Sequence, residues 1–322
     1  MNKTEYQEKL VGDILTSLEK HGAKKFLSSV ILTGSFGRGE PTFFYAEDGE
    51  LVLKSDVEIA LVFPKGVSKD NVQSLISSVT REFNEDLNLM PISQKRVEKV
   101  YNFNFSFFVP KYKTIFTYDL FNGSKTIWGK DFIGKTTVDV GEIDPYEAKR
   151  LVGNRIGELV YLRKYSTEKY MHKQWKGKVI LAIASSWLLL NNKYSSSYFK
   201  QYQILFDEKS AVEQDLGENF FYDYALVFSF LRENGKEYEV SDVRLMEYIR
   251  MFDVIIKNKG LKKPKVNSFG RYVKYIKKYM KIKCPLGFAN FEDKILQGLI
   301  TGYYDSSKDI VHMAEIWHRV LY

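Results

Sequence analysis

Asp56 and Glu58 stand two apart in Ser55-Asp56-Val57-Glu58-Ile59-Ala60-Leu61-Val62, where Val57 and Ile59 fill the alternate positions. Side chains two apart on a strand share a face, so this run holds two carboxylates side by side. They repel each other unless a cation sits between them. Oxygen-rich pairs of this kind are what Mg²⁺ uses. Upstream lies Val30-Ile31-Leu32-Thr33-Gly34-Ser35-Phe36-Gly37-Arg38-Gly39-Glu40. Its apolar, β-branched start predicts a buried strand. The run then stops in a Gly-Ser turn, and such turns present backbone N–H groups that suit phosphate oxygens. Gly34 would let the backbone approach a phosphate, and Ser35 would offer it a hydroxyl. A half-exposed strand with a wet face would also explain Asp56 and Glu58, but it ignores the turn upstream.

Hydrophobic-Gly-Ser, a spacer, then Asp-hydrophobic-Glu-hydrophobic resembles the signature of the DNA polymerase β-type nucleotidyltransferase superfamily. The core Gly-Ser-Phe-Gly-Arg-Gly-Glu is similar to the form seen in its small bacterial and archaeal members. The resemblance covers Val30 to Val62 well and extends more weakly to about Gly129. Twenty residues separate Ser35 from Asp56, a longer spacer than the family usually carries. The extra stretch, Thr42 to Leu53, has aromatic residues, Asp48-Gly49, then apolar residues again, and predicts an inserted hairpin. A hairpin leaves its two ends close together, so the motif survives the insertion.

The resemblance implies transfer of a nucleoside monophosphate from a triphosphate. That chemistry uses two divalent ions about 3.5–4 Å apart, which requires a third carboxylate besides Asp56 and Glu58. Asp119 is the leading candidate, because Thr114 to Leu120 reads as a strand ending in a glycine turn. Glu98 and Asp139 are alternatives, and a turn-capping role would also explain Asp119. The resemblance further implies that Gly34, Ser35 and Arg38 hold the nucleotide's phosphates. It suggests that Lys178, Ser197 and Tyr198, in the second half, meet the triphosphate and the base. A solvated lysine and a polar loop with packing tyrosines would account equally well for those three.

The chain has 322 residues, 44% of them hydrophobic and 27% charged, enough for two domains. Its single cysteine, Cys284, excludes an internal disulfide and a cysteine-rich zinc site. His21, His172, His312 and His318 show no ligand spacing. No signal peptide or membrane span is legible, so a cytoplasmic protein without a membrane partner is expected. The net charge of +8 is local. Residues Lys257 to Lys283 hold eleven Lys and Arg and no acid, leaving the rest of the chain at −3. Tyr272, Tyr275 and Tyr279 interleave with Lys274, Lys277 and Lys278 at helical spacing. This stretch predicts a rim for anionic ligands, or a nonspecific nucleic-acid contact, and not a sequence reader.

The expected fold class is α+β. Residues 1–143 mix helices (4–20, 68–85) with strands (26–33, 56–63, 96–109, 113–120) and form the catalytic domain. Asp144-Pro145 has the chemistry of a helix start, and residues 144–322 are helical in pattern, forming a domain that closes the active site. Expected helices run over 146–164, 174–191, 211–233, 242–259, 271–281, 291–303 and 308–321. The expected protein is a nucleotidyltransferase using two Mg²⁺ (Mn²⁺ is an alternative), with ATP as donor and a small molecule as acceptor. A cyclic-oligonucleotide synthase, an enzyme modifying protein or RNA, and a silent nucleotide-binding module are the alternatives.

Overall fold

The computed structural model describes residues 2–45, 49–83, 86–94, 97–98, 113–134, 137–165, 169–232, 238–261, 291–304 and 310–320. The fold is α+β, with a mixed sheet and many helices. Contacts divide the chain into two units. The first is Met1–Glu142 with two short returns of chain, Ser196–Tyr198 and Arg232–Asn234, and the second is the remainder.

In the first unit α1 (Lys3–Lys20) starts at a capping box in which Asn2 and Glu5 satisfy each other's backbone N–H. Strand β1 (Ser29–Leu32) is buried throughout. A short α2 (Gly34–Gly37) follows, then the hairpin β2 (Phe43–Tyr45) and β3 (Leu51–Leu53), antiparallel with Phe43 opposite Leu53. The inserted hairpin expected from the sequence is therefore present. Strand β4 (Val57–Phe63) and α3 (Lys69–Thr80) come next, and Ser68 caps α3 by accepting the N–H of Asn71. Strand β5 (Leu87–Ser93), helix α4 (Ile115–Asn122) and strand β6 (Lys125–Gly129) complete the unit.

The sheet order is β5-β4-β1-β6. Strand β1 is antiparallel to both neighbours, and β4 is parallel to β5. Both faces of β4 are covered. Val57, Ile59 and Leu61 pack with Leu10, Ile14 and Leu18 of α1 and Leu75 and Val79 of α3. Ala60 and Val62 pack with Ile31, Ile92, and Leu120 and Phe121 of α4. Fully burying each Leu or Ile contributes about 1.5–3 kcal/mol. The near-continuous apolar pattern of β4 follows from this two-sided burial. Alternation then places Glu58, and Asp56 just before the strand, on the face that α4 covers further along.

Three expectations change here. Residues 113–120 form no strand: Thr114 accepts the N–H of Thr117 and caps α4, which ends at Gly123. The aromatic and β-branched composition misled, because burial of Leu120 and Phe121 on one helix face outweighs strand propensity. Strand β5 was not expected, since Pro91 interrupts its pattern. It is an edge strand among the described residues, where a missing N–H is tolerated. Strand β6 falls in a stretch to which the sequence assigns no element. Most of the expected strand 96–109 lies outside the described residues.

The second unit is helical. Asp144 accepts the N–H of Tyr146 and starts α5 (Tyr146–Tyr165), as its sequence predicts. The apolar α6 (Lys169–Leu190) follows. The helix expected over 211–233 is divided. Helices α8 (Lys209–Leu216) and α9 (Phe220–Arg232) occupy this region, Gly217, at φ +104°, stops α8, and a further helix, α7 (Tyr198–Asp207), precedes them. Then come α10 (Asp242–Asn258), α11 (Phe291–Tyr304) and α12 (Ile310–Val320). Helix α12 packs so closely on α5 that a Cβ on Gly157 would lie 2.8 Å from the Trp317 ring. The Trp317 Nε1–H donates to Asn154 Oδ1 at 2.9 Å.

In the basic stretch, Lys257 pairs with Asp253 and Lys259 donates to the Leu190 carbonyl. The stretch beyond residue 261, including Lys274, Lys277 and Lys278, lies outside the described residues. So does Cys284. No described helix is long and apolar enough to cross a membrane.

Candidate active site

Thr33 sets the geometry of the turn after β1. Its N–H and its hydroxyl both donate to the Glu58 carbonyl, at 2.9 and 3.1 Å, locking the end of β1 to the start of β4. Gly34 follows at φ +60°. A Cβ there would lie 1.9 Å from Glu58 Oε2 and 3.3 Å from Glu58 Cβ. Glycine suits this position, both for the backbone angle and because the Glu58 carboxylate lies against the turn and would have to move aside for a side chain. Gly37 is also needed for close approach, since its Cβ would meet the carbonyls of Leu32 and Gly123 at 2.5 and 2.8 Å. The loop then closes as Glu40 N–H donates to the Ser35 carbonyl at 2.7 Å.

Ser35 is 7% exposed, and its hydroxyl has no hydrogen-bond partner among the described residues. Leaving a buried hydroxyl unsatisfied costs on the order of 1–3 kcal/mol. Unpartnered buried hydroxyls are uncommon in folded proteins. Asp56 is exposed and Glu58 half-buried, so the carboxylate pair is reachable from solvent. Carboxylates supply the hard oxygens that divalent ions take.

The other expected residues fall in several places. Arg38 is nearly buried, with Nε 3.5 Å from Glu40 Oε2. Ser197 and Tyr198 belong to the first unit with it. Glu40 accepts the Ser197 hydroxyl and the Tyr198 N–H, the latter at 3.0 Å. The Arg38 guanidinium lies over the Tyr198 ring, 4.9 Å from its centroid. Lys178 is in the second unit, 4.0 Å over the ring of Trp175.

Asp119 is on helix α4 and not at a strand end. Its carbonyl accepts Gly123 N–H and the Ser124 hydroxyl. The phenol of neighbouring Tyr118 is pushed up by burial and by the charges of Asp119 and Asp139. Glu98 accepts a hydrogen bond from Gln94. Among the described residues, Asp56, Glu58 and Asp119 do not draw together into a group of three that could hold an ion. On the strand beside β4, Asn88 stands opposite Glu58. Asp86, two residues earlier, accepts the Val57 N–H through its carbonyl at 2.8 Å, next to Asp56.

Two participants escaped the sequence reading. Glu40, though part of the glycine-rich motif, carried no assignable role until its contacts to Ser197 and Tyr198 were seen. Arg232 closes an aromatic helix, and nothing local marks it. In the structure its guanidinium is 3.8 Å from the Tyr198 centroid. No protein-family model matches the chain, and no curated protein matches it.

Proposed function

We propose that the chain is a divalent-metal-dependent nucleotidyltransferase, with ATP as donor and a small molecule as acceptor. The single observation that supports this reading most is the Gly34–Ser35 turn. There a buried serine hydroxyl, without a hydrogen-bond partner among the described residues, follows a glycine against which the Glu58 carboxylate lies. The turn would serve as a phosphate cradle beside the Glu58 carboxylate that lies against it. The resemblance to polymerase β-type enzymes rests on the same residues.

In the proposed reaction an acceptor oxygen attacks the α-phosphorus of the triphosphate. The bond from that phosphorus to the bridging oxygen breaks, and pyrophosphate leaves. The acceptor's proton passes to a carboxylate or to solvent. Asp56 and Glu58 would hold the metal. Bound there, Mg²⁺ would polarise the phosphoryl oxygens and neutralise charge on the leaving pyrophosphate. Ser35 and Arg38 would hold the phosphates. Thr33 fixes the turn against β4, so the cradle is set before the nucleotide arrives.

Incubating the full chain with each α-labelled triphosphate and Mg²⁺ or Mn²⁺, with and without fractionated cell extract, tests this. The expected result is pyrophosphate release and label on a small acceptor. Label on protein or RNA would move the acceptor to that class, and a cyclic product from triphosphate alone would identify a synthase. No pyrophosphate release with any base or extract fraction would overturn the enzyme reading in favour of a binding module.

The third carboxylate follows from the same assay. Asp119 on α4, whose neighbours Leu120 and Phe121 pack with Ala60 and Val62 of β4, and Asp86, whose carbonyl accepts the N–H of Val57 beside Asp56, are the two candidates. One of Asp119→Asn and Asp86→Asn is expected to lower turnover by about a hundredfold or more, and the other by less than a few-fold. Full activity in both would show that two carboxylates suffice.

A further inference from the structure

Two guanidinium groups share one aromatic ring in the first unit. Arg38 Cζ is 4.9 Å and Arg232 Cζ 3.8 Å from the centroid of Tyr198. The two cations can therefore be no further apart than the sum of these distances. Stacking fixes the plane of a guanidinium but leaves its charge in place.

Among the described residues the charge around this ring does not balance. Glu40 is the one carboxylate paired with either arginine among the described residues. It already accepts the Ser197 hydroxyl and the Tyr198 N–H, and its approach to Arg38 Nε is 3.5 Å, too long for a good hydrogen bond. Arg232 has no ion pair among the described residues. The Arg38 side chain is 9% exposed, and the Nε atoms of Arg38 and Arg232 are both buried without a hydrogen-bond partner. Buried charge is costly unless it is paired. All the orphaned polar side-chain atoms recorded in this unit come from Ser35, Arg38, Thr42 and Arg232. Three of these four belong to the loop that follows β1.

We propose that Arg38 and Arg232 are the two arms of a clamp for a polyphosphate chain. Tyr198 is the platform that orients both arms, and Glu40 holds Arg38 and the Tyr198 backbone in place. A polyphosphate suits this arrangement because it presents several anionic oxygens on adjacent phosphorus atoms. Each planar fork can then take a pair of oxygens. A single carboxylate ligand would satisfy one fork and leave the other unpaired. Arg232 thereby becomes a phosphate-binding residue. The identity of the ligand as a nucleoside triphosphate rests on the function proposed above, but the clamp itself requires no turnover.

The probe is inorganic tripolyphosphate, titrated calorimetrically into the full chain in EDTA so that no metal contributes. Wild type is expected to bind it with an affinity that falls as salt rises. Arg232→Gln should weaken binding about 10- to 100-fold, the worth of one charge-assisted pairing. Arg232→Lys, which keeps the charge but loses the fork, should fall between the two. Neither variant should melt much below wild type without ligand, because the substitution removes a cation that has no anionic partner among the described residues. Unchanged affinity in Arg232→Gln, no binding by wild type, or a large loss of stability in both variants would overturn the clamp. The last result would make Arg232 a structural prop. Tripolyphosphate binding without nucleotidyl transfer by wild type would keep the clamp and remove the proposed reaction. Transfer with unchanged affinity in Arg232→Gln would do the reverse.

Discussion

Asp56→Asn is expected to abolish nucleotidyl transfer while leaving the fold intact. Asp56 is exposed and precedes β4, so the substitution removes no core contact. Exposed replacements of this kind usually change stability by less than about 0.5 kcal/mol. The catalytic effect is of a different size. A neutral amide in place of one of two anionic ligands weakens the hold on a divalent ion, and with it the stabilisation of charge on the leaving group. Removing one preorganised electrostatic group of this type costs on the order of 10²–10³ in turnover. A Mg²⁺ titration of activity should shift to higher concentration in the variant, which separates loss of metal from loss of fold. Transfer within a few-fold of wild type at ordinary Mg²⁺ would show that the carboxylate pair has no catalytic part.

How far this site was legible in the sequence depended on range. The Gly34–Ser35 turn and the Asp56/Glu58 alternation are local patterns, and local patterns survive folding. Strand β1, strand β4 and the inserted hairpin all follow from them. Asp119 shows the limit. Its neighbours have strand composition, yet Thr114 caps them into α4 and the core face of that helix decides the outcome. Strand β5 was hidden by Pro91, which an edge position accommodates. Arg232 and Glu40 were hidden for a different reason. Their roles come from contacts with Tyr198, a residue 158 positions from Glu40, and no spacing rule reaches that far.

Gly34→Ala is expected to cost more activity than stability. The backbone there is at φ +60°, where an alanine is strained by about 1–2 kcal/mol. The new Cβ would also fall 1.9 Å from Glu58 Oε2, 2.9 Å from Cδ and 3.3 Å from Cβ. The carboxylate is the far end of a flexible side chain and can swing away, so the folding penalty should stay near the strain itself. Swinging away, however, removes Glu58 from its place against the turn at Gly34. A displacement of about 1 Å in a reacting site can cost about a hundredfold in rate. A double-mutant cycle makes the cause visible. In a Glu58→Ala background, which is already poor in activity, adding Gly34→Ala should cost no further turnover. Its effect on the melting temperature should shrink to the backbone strain alone. Additive losses in the cycle would mean that Gly34 acts on bound phosphate independently of Glu58. Near wild-type activity in Gly34→Ala would mean that this turn neither places the carboxylate nor cradles the nucleotide.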